Sequence, residues 1–175
     1  MIICVMGLTN AGKSTLLKSI KETFSNHVHI VQVGKVMRER HPPEFFNGRA
    51  EMPETEPEVM EILHTGILQG WRDRSVRHIL VDGQPRNLGQ LNYFRSTWSP
   101  FEVKYVSLWA PRTEREDRAK KRDTNPEALK LSMNRMDSEL QNFTDVHMAI
   151  EAMGSPVKVF DTSLRLPNLE DILEC

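Results

Sequence analysis

Met1-Ile-Ile-Cys4-Val-Met6-Gly7-Leu8-Thr9-Asn10-Ala11-Gly12-Lys13-Ser14-Thr15 decides the fold. Six apolar residues run into a loop with Gly7 and Gly12 at the spacing G-x-x-x-x-G-K-[S/T], and Leu16, Leu17, Ile20 and Phe24 follow at helical spacing. A strand, a glycine-rich loop and a helix in that order are the context in which this motif cradles phosphate. The loop must turn its backbone N–H groups inward, which a Cβ at Gly7 or Gly12 would obstruct. A helix opening at Lys13 adds unpaired N–H groups and the positive end of its dipole. The motif makes Gly7, Asn10, Ala11, Gly12, Lys13, Ser14 and Thr15 the candidate ATP-binding residues, with Lys13 reaching the β- and γ-phosphates and Ser14 ligating Mg²⁺.

The bulk numbers bound what such a loop can serve. With 175 residues, 39% of them hydrophobic, the chain can bury one good core, so residues 1–175 are expected to form a single domain. Lys and Arg total 23 against 24 Asp and Glu, so no global field recruits nucleic acid or an anionic membrane. Cys4, inside the first strand, and Cys175 are too few and too badly placed for a disulfide framework, which fits a reducing cytoplasm. No basic-then-apolar leader precedes the strand, and no apolar run approaches the ~18 residues of a membrane helix. The expectation is a cytoplasmic monomer whose partners are small-molecule nucleotides.

Outward from the loop, the first helix is expected to end near Asn26, and Val28 to Val33 alternates as a second strand with His27 and His29 on the solvent phase. Gly34 to Arg40 predicts a short helix at that strand's C-terminal end, where open α/β sheets place ligands. Prolines at 42, 43, 53 and 57 mark an excursion. Thr55-Glu-Pro-Glu58 has capping-box spacing and leads into Val59, Ile62, Leu63, Ile67 and Trp71 on one helical face, so residues 35–72 read as a helical flap. His78 to Asp82 is a third strand ending in an acid that would share Mg²⁺ with Ser14. Leu88, Leu91 and Phe94 mark a helix ending before Ser99, and Val103 to Trp109 is a fourth strand. Thr113-Glu-Arg-Glu116 is another capping-box match opening a charged helix, in which Arg118 and Arg122 share a face. Arg112, Arg115, Lys120 and Lys121 read as solvated charges. From Asn125 one long helix carries Leu129, Met133, Met136, Leu140, Phe143, His147, Ile150 and Met153 at 3–4 spacing to a stop at Gly154. Val157 to Phe160 is a fifth strand, and Leu169, Ile172 and Leu173 suggest a closing helix. The alternation predicts an α/β, three-layer P-loop NTPase fold with a five-stranded parallel sheet flanked by helices.

At Asp82-Gly83-Gln84-Pro85-Arg86 the chain resembles the nucleoside monophosphate kinases, adenylate kinase in particular, which carry D-G-F-P-R after the third strand. The resemblance runs from Met1 to about Thr162. It implies transfer of the γ-phosphoryl group of Mg·ATP to a nucleoside monophosphate, with Lys13, Arg86, Arg118 and Arg122 as the catalytic cations. It implies that Gly34, Arg38, Gly83 and Arg86 hold the acceptor's phosphate end, and that Gln90 reads its base, favouring AMP or dAMP. Arg118 and Arg122 resemble lid arginines on the donor phosphates, and Asp161-Thr162 resembles the loop passing the donor adenine. The resemblance also raises a cis bond before Pro85.

Departures from the family pattern bear on base choice. Val33 and Lys35 replace the family's Thr and Asp, and Gln84 replaces an aromatic. The inserted lid is virtually absent: residues 112–125 run from Arg122 straight into Asp123-Thr-Asn125-Pro-Glu127. The family's further arginine would fall near Ser132, and Arg135, one turn on, is its candidate substitute. Other readings stay open: a deoxynucleoside monophosphate kinase of other base specificity, a nucleoside kinase, a non-catalytic nucleotide sensor and a GTPase-like switch. The last rests on Asn10-Ala-Gly-Lys-Ser-Thr15 and on Asn134-Arg-Met-Asp137, an imitation of the guanine motif N-K-x-D inside a predicted helix rather than after a strand.

Overall fold

The computed structural model describes residues 1–46 and 52–174. Residues 47–51 of the expected flap, and Cys175, lie outside the described residues. The elements run β1 (Ile2–Gly7), α1 (Lys13–Thr23), β2 (Val28–Val31), α2 (Val33–Arg40), α3 (Pro43–Phe46), a 3₁₀ turn (Pro53–Thr55), α4 (Glu56–Arg72), β3 (His78–Asp82) and α5 (Leu88–Thr97). They continue β4 (Val103–Trp109), α6 (Arg112–Arg122), α7 (Pro126–Ser138), α8 (Leu140–Ala152), β5 (Val157–Asp161) and α9 (Leu169–Leu173).

All five strands are parallel, in the order β2-β3-β1-β4-β5. Central β1 is buried on both faces, which is why its sequence is an unbroken apolar run. Ile2, Cys4 and Met6 pack toward α4, α5 and α8, while Ile3 and Val5 pack toward α1 and α9. Three layers result. Because β1 pairs with β3 on one side and β4 on the other, the chain's winding reverses there, and a crevice opens beyond its C-terminal end. Burial pushes the Cys4 thiol's pKa far up, so it acts as a core apolar group. Among the described residues, no helix is long and apolar enough to cross a membrane.

Several local expectations fail where tertiary contacts outweigh local pattern. The first helix ends at Thr23, short of Asn26. β2 stops at Val31, and Val33 becomes the first residue of α2, buried in the core. His29 does not face solvent: α4 packs on it, and a Cβ on Gly70 would lie 2.7 Å from the ring's Cδ2. Trp71 is correspondingly 56% exposed, because Gly70 takes the buried position. Neither predicted capping box forms. The Thr55 hydroxyl donates to Met52 O, Glu58 accepts from Arg40 and contacts the His41 ring, and α6 starts behind Pro111 with Thr113 in its first turn. The long helix after Asn125 breaks at Glu139 into α7 and α8, leaving Leu140 exposed.

The close approach of α4 to β2 is a packing constraint with a measurable consequence. A Cβ on Gly66 would stand 2.7 Å from Val31 Cγ1, and a valine side chain on a strand has little rotamer freedom to yield. Gly66→Ala is expected to destabilise the fold by about 1–2 kcal/mol, overpacking outweighing the roughly 1 kcal/mol of helix propensity gained. Urea unfolding should show a lower midpoint with an unchanged slope; an unshifted midpoint would mean that α4 can slide away.

Candidate active site

The glycine-rich loop is built by two backbone conformations that side chains disfavour. Gly7 has φ 145° and lies so near β4 that a Cβ would sit 2.6 Å from Leu108 O, while Gly12, with φ 98°, leads directly into α1. Asn10, at φ 64°, completes the turn. Lys13 folds back over the loop, its Nζ donating to Gly7 O at 2.5 Å and Leu8 O at 2.9 Å. Burial pulls its pKa down to about 8, against the opposing pull of Asp82 and Glu139.

The loop forms one wall of a cleft of about 450 Å³ at the C-terminal ends of the strands. Gly7, Asn10, Lys13, Ser14, Gly34, Arg38, Asp82, Gly83, Arg86, Arg122 and Arg135 line it, so most of the sequence-predicted site converges on one space. Gly83 marks where the two ends of the cleft meet: a Cβ there would be 3.4 Å from Arg86 Nη2 and 3.6 Å from Lys13 Cε. Arg86 Nε donates to Gly83 O at 3.0 Å. Burial and the neighbouring arginines 86, 38 and 122 lower the Arg135 pKa to about 10, which fits several cations held close together. Ser132, near which the resemblance puts a further arginine, bonds Arg122 and Asp123 instead.

Other predicted residues stand outside the cleft wall. Ala11 is buried and Thr15 is exposed on α1. Arg118 ties the loop to the segment after β5, donating to Asn10 O, Thr162 Oγ1 and Thr162 O. Thr162 is buried and also bonds Ala11 O, whereas the Asp161 carboxylate accepts from Ser163. Arg122 reaches the cleft and donates to Asn10 Oδ1 at 2.8 Å. Gln90, 3% exposed, lines a smaller adjoining pocket of about 70 Å³; its Oε1 accepts from Arg86 N and its Nε2 donates to Glu56. The Gln84–Pro85 bond is cis, and Asn134 to Asp137 lies within α7 rather than directly after a strand.

Three residues escaped the sequence reading. Arg115, taken for a solvated charge, is 6% exposed; it stands three residues before Arg118 and seven before Arg122, a helical spacing that could have marked the face. Its Nη1 lies 3.4 Å from Thr9 O and 3.5 Å from Glu139 Oε1. Glu139 in turn accepts from Thr9 N and Thr9 Oγ1. Glu56, which holds the amides of Asn87 and Gln90, had no local signal at all.

Among the described residues, no group of three His, Cys, Asp or Glu side chains could cage a metal. Ser14 and Asp82 in one cleft do fit Mg²⁺, which takes few protein ligands and completes its shell with phosphate oxygens and water.

Residues 3–141, all of the cleft wall but Asn142 and Phe143, match the family model of the AAA domain. The chain belongs to the AAA-domain family. This is a P-loop NTPase-type family that includes nucleotide- and shikimate-kinase-like members, and the five-stranded parallel sheet flanked by helices agrees with it. No curated protein matches the chain.

The motif expects Lys13 to hold phosphate, which it can do only when charged; with burial pulling its pKa down to about 8, ATP affinity is expected to fall as pH rises through that value. Calorimetry should show a loss of up to about tenfold per pH unit above it. A flat profile to pH ~10 would contradict the assignment of Lys13 as a phosphate ligand.

Proposed function

We propose that this AAA-domain protein is a nucleoside monophosphate kinase, transferring the γ-phosphoryl group of Mg·ATP to a monophosphate acceptor. The observation that carries this reading is the second cation group. Lys13 and the loop serve one end of the cleft, while Arg38, Arg86 and Arg135 gather at the other, beside the pocket holding Gln90. An ATPase needs only the first end.

Charge supports two substrates rather than one. Lys13, Lys35, Arg38, Arg86, Arg122 and Arg135 line the cleft against Asp82 and Glu139, leaving four positive charges. Mg·ATP and a nucleoside monophosphate each bring about two negative charges at neutral pH, so together they match it.

Phosphoryl transfer asks mainly for alignment and charge neutralisation. Lys13 and the loop N–H groups would hold the donor's β- and γ-phosphates. Arg38 and Arg86, with Arg135, would hold the acceptor phosphate so that its oxygen faces the γ-phosphorus near Gly83. Arg122, on α6, would cover the transferring oxygens. Mg²⁺ held at Ser14 and Asp82 would supply Lewis-acid neutralisation of the phosphates. The position of Gln90 supports AMP or dAMP, though its amide must then release Glu56. Val33 and Gln84, which line the base pocket, favour a second possibility: another base.

Incubation with Mg·ATP and, separately, AMP, dAMP, GMP, dGMP, CMP, UMP and dTMP tests the proposal by product analysis. One or more diphosphates should form, adenine acceptors best, with a loss of about a hundredfold or more in Lys13→Ala. ATP binding without conversion of any monophosphate would overturn the kinase reading.

A further inference from the structure

Glu139 is the one carboxylate besides Asp82 among the described residues lining the phosphate cleft. An acid there opposes anionic substrates unless it serves another purpose. Its contacts point to one. Oε1 accepts from Thr9 N at 2.5 Å and Oε2 from Thr9 Oγ1 at 2.8 Å, a two-point grip on a single loop residue. Arg115, buried at the start of α6, reaches Thr9 O from the other side at 3.4 Å and Glu139 Oε1 at 3.5 Å. Both backbone polar groups of Thr9 and its hydroxyl are thus held by one acid and one base. The acid sits where α7 breaks into α8.

The next loop residue is the landing point of α6. Arg118 donates to Asn10 O and Arg122 to Asn10 Oδ1. Arg115, Arg118 and Arg122 therefore attach to two consecutive loop residues, and Glu139 fixes the first of them.

We propose that Glu139 is a positioning residue for the phosphoryl transfer inferred above: with Arg115 it braces Thr9, and so sets where α6 delivers Arg122 over the phosphates. The brace acts on the step in which charge moves, because the ground-state donor is held by Lys13 and the loop N–H groups.

The test uses Glu139→Gln, which keeps the shape and one acceptor oxygen but removes the charge facing Arg115 and one of the two grips on Thr9. The proposal expects kcat to fall about tenfold or more while the ATP KM changes less than about threefold. Wild-type kcat, or a KM rise as large as the kcat loss, would overturn it. Because a buried Arg115 left without its partner could unfold the chain, Glu139→Gln/Arg115→Met removes both charges together. If Glu139 serves stability alone, this double variant recovers wild-type kcat, which overturns the proposal; a persistent kcat loss in the folded double variant supports it. The inference rests on the kinase reading. Should the wild type convert no acceptor, that reading fails by itself, and the same comparison of kcat is then made on hydrolysis of Mg·ATP.

Discussion

The burial of cations in one cleft is the constraint on which the site depends. Lys13, Arg86 and Arg135 belong to the loop–α1 junction, the segment after β3 and α7, yet they line one space; burial lowers the pKa of Lys13 and of Arg135, and the neighbouring arginines add a smaller push in the same direction. Such a cluster is unfavourable in the folded chain by itself, and anionic groups of the proposed substrates would relieve it. Three of the cleft's cations are tied down. Lys13 bonds two loop carbonyls, Arg86 bonds Gly83 O, and Arg122 is held by Asp123, Ser132 and Asn10. The parallel sheet supplies the rigid frame, with β1 locked between β3 and β4.

The polar network behind Arg86 follows the same logic. Asn87 caps α5 by accepting from Gln90 N, and both amides donate to Glu56 at the start of α4. Gln90 returns a bond to Arg86 N. The backbone that carries Arg86 is therefore held by the helix that forms the far wall, so movement of α4 and the setting of Arg86 are coupled. A base entering this pocket must exchange its own hydrogen bonds for those of Glu56 or Gln90.

Sequence made the glycine-rich loop legible because its information is local. Gly7, Gly12, Lys13 and Ser14 lie within eight residues, and the strand and helix flanking them carry unambiguous periodicities. Asp82 and Arg86 were legible for the same reason. What stayed hidden depends on contacts between distant segments. Thr9 and Glu139 are 130 residues apart, and nothing near Glu139 announces that a carboxylate will break a well-patterned amphipathic helix. Arg115 looked like one charge in a charged run, although its spacing to Arg118 and Arg122 places all three on one face. The capping boxes at Thr55 and Thr113 failed because a 3₁₀ turn and Pro111 set the helix starts instead. His29 and Trp71 exchanged expected environments because glycine at 70 let α4 settle onto β2.

Whether the cleft has two separate phosphate ends is settled most directly by binding, without turnover. Dissociation constants for Mg·ATP and for the preferred nucleoside monophosphate would be measured by calorimetry in Lys13→Ala and Arg86→Ala. The account predicts a crossed pattern: Lys13→Ala weakens ATP by about tenfold or more and spares the monophosphate, while Arg86→Ala does the reverse. Equal loss of both ligands in both variants would mean a single phosphate site, and the two-substrate account would be wrong.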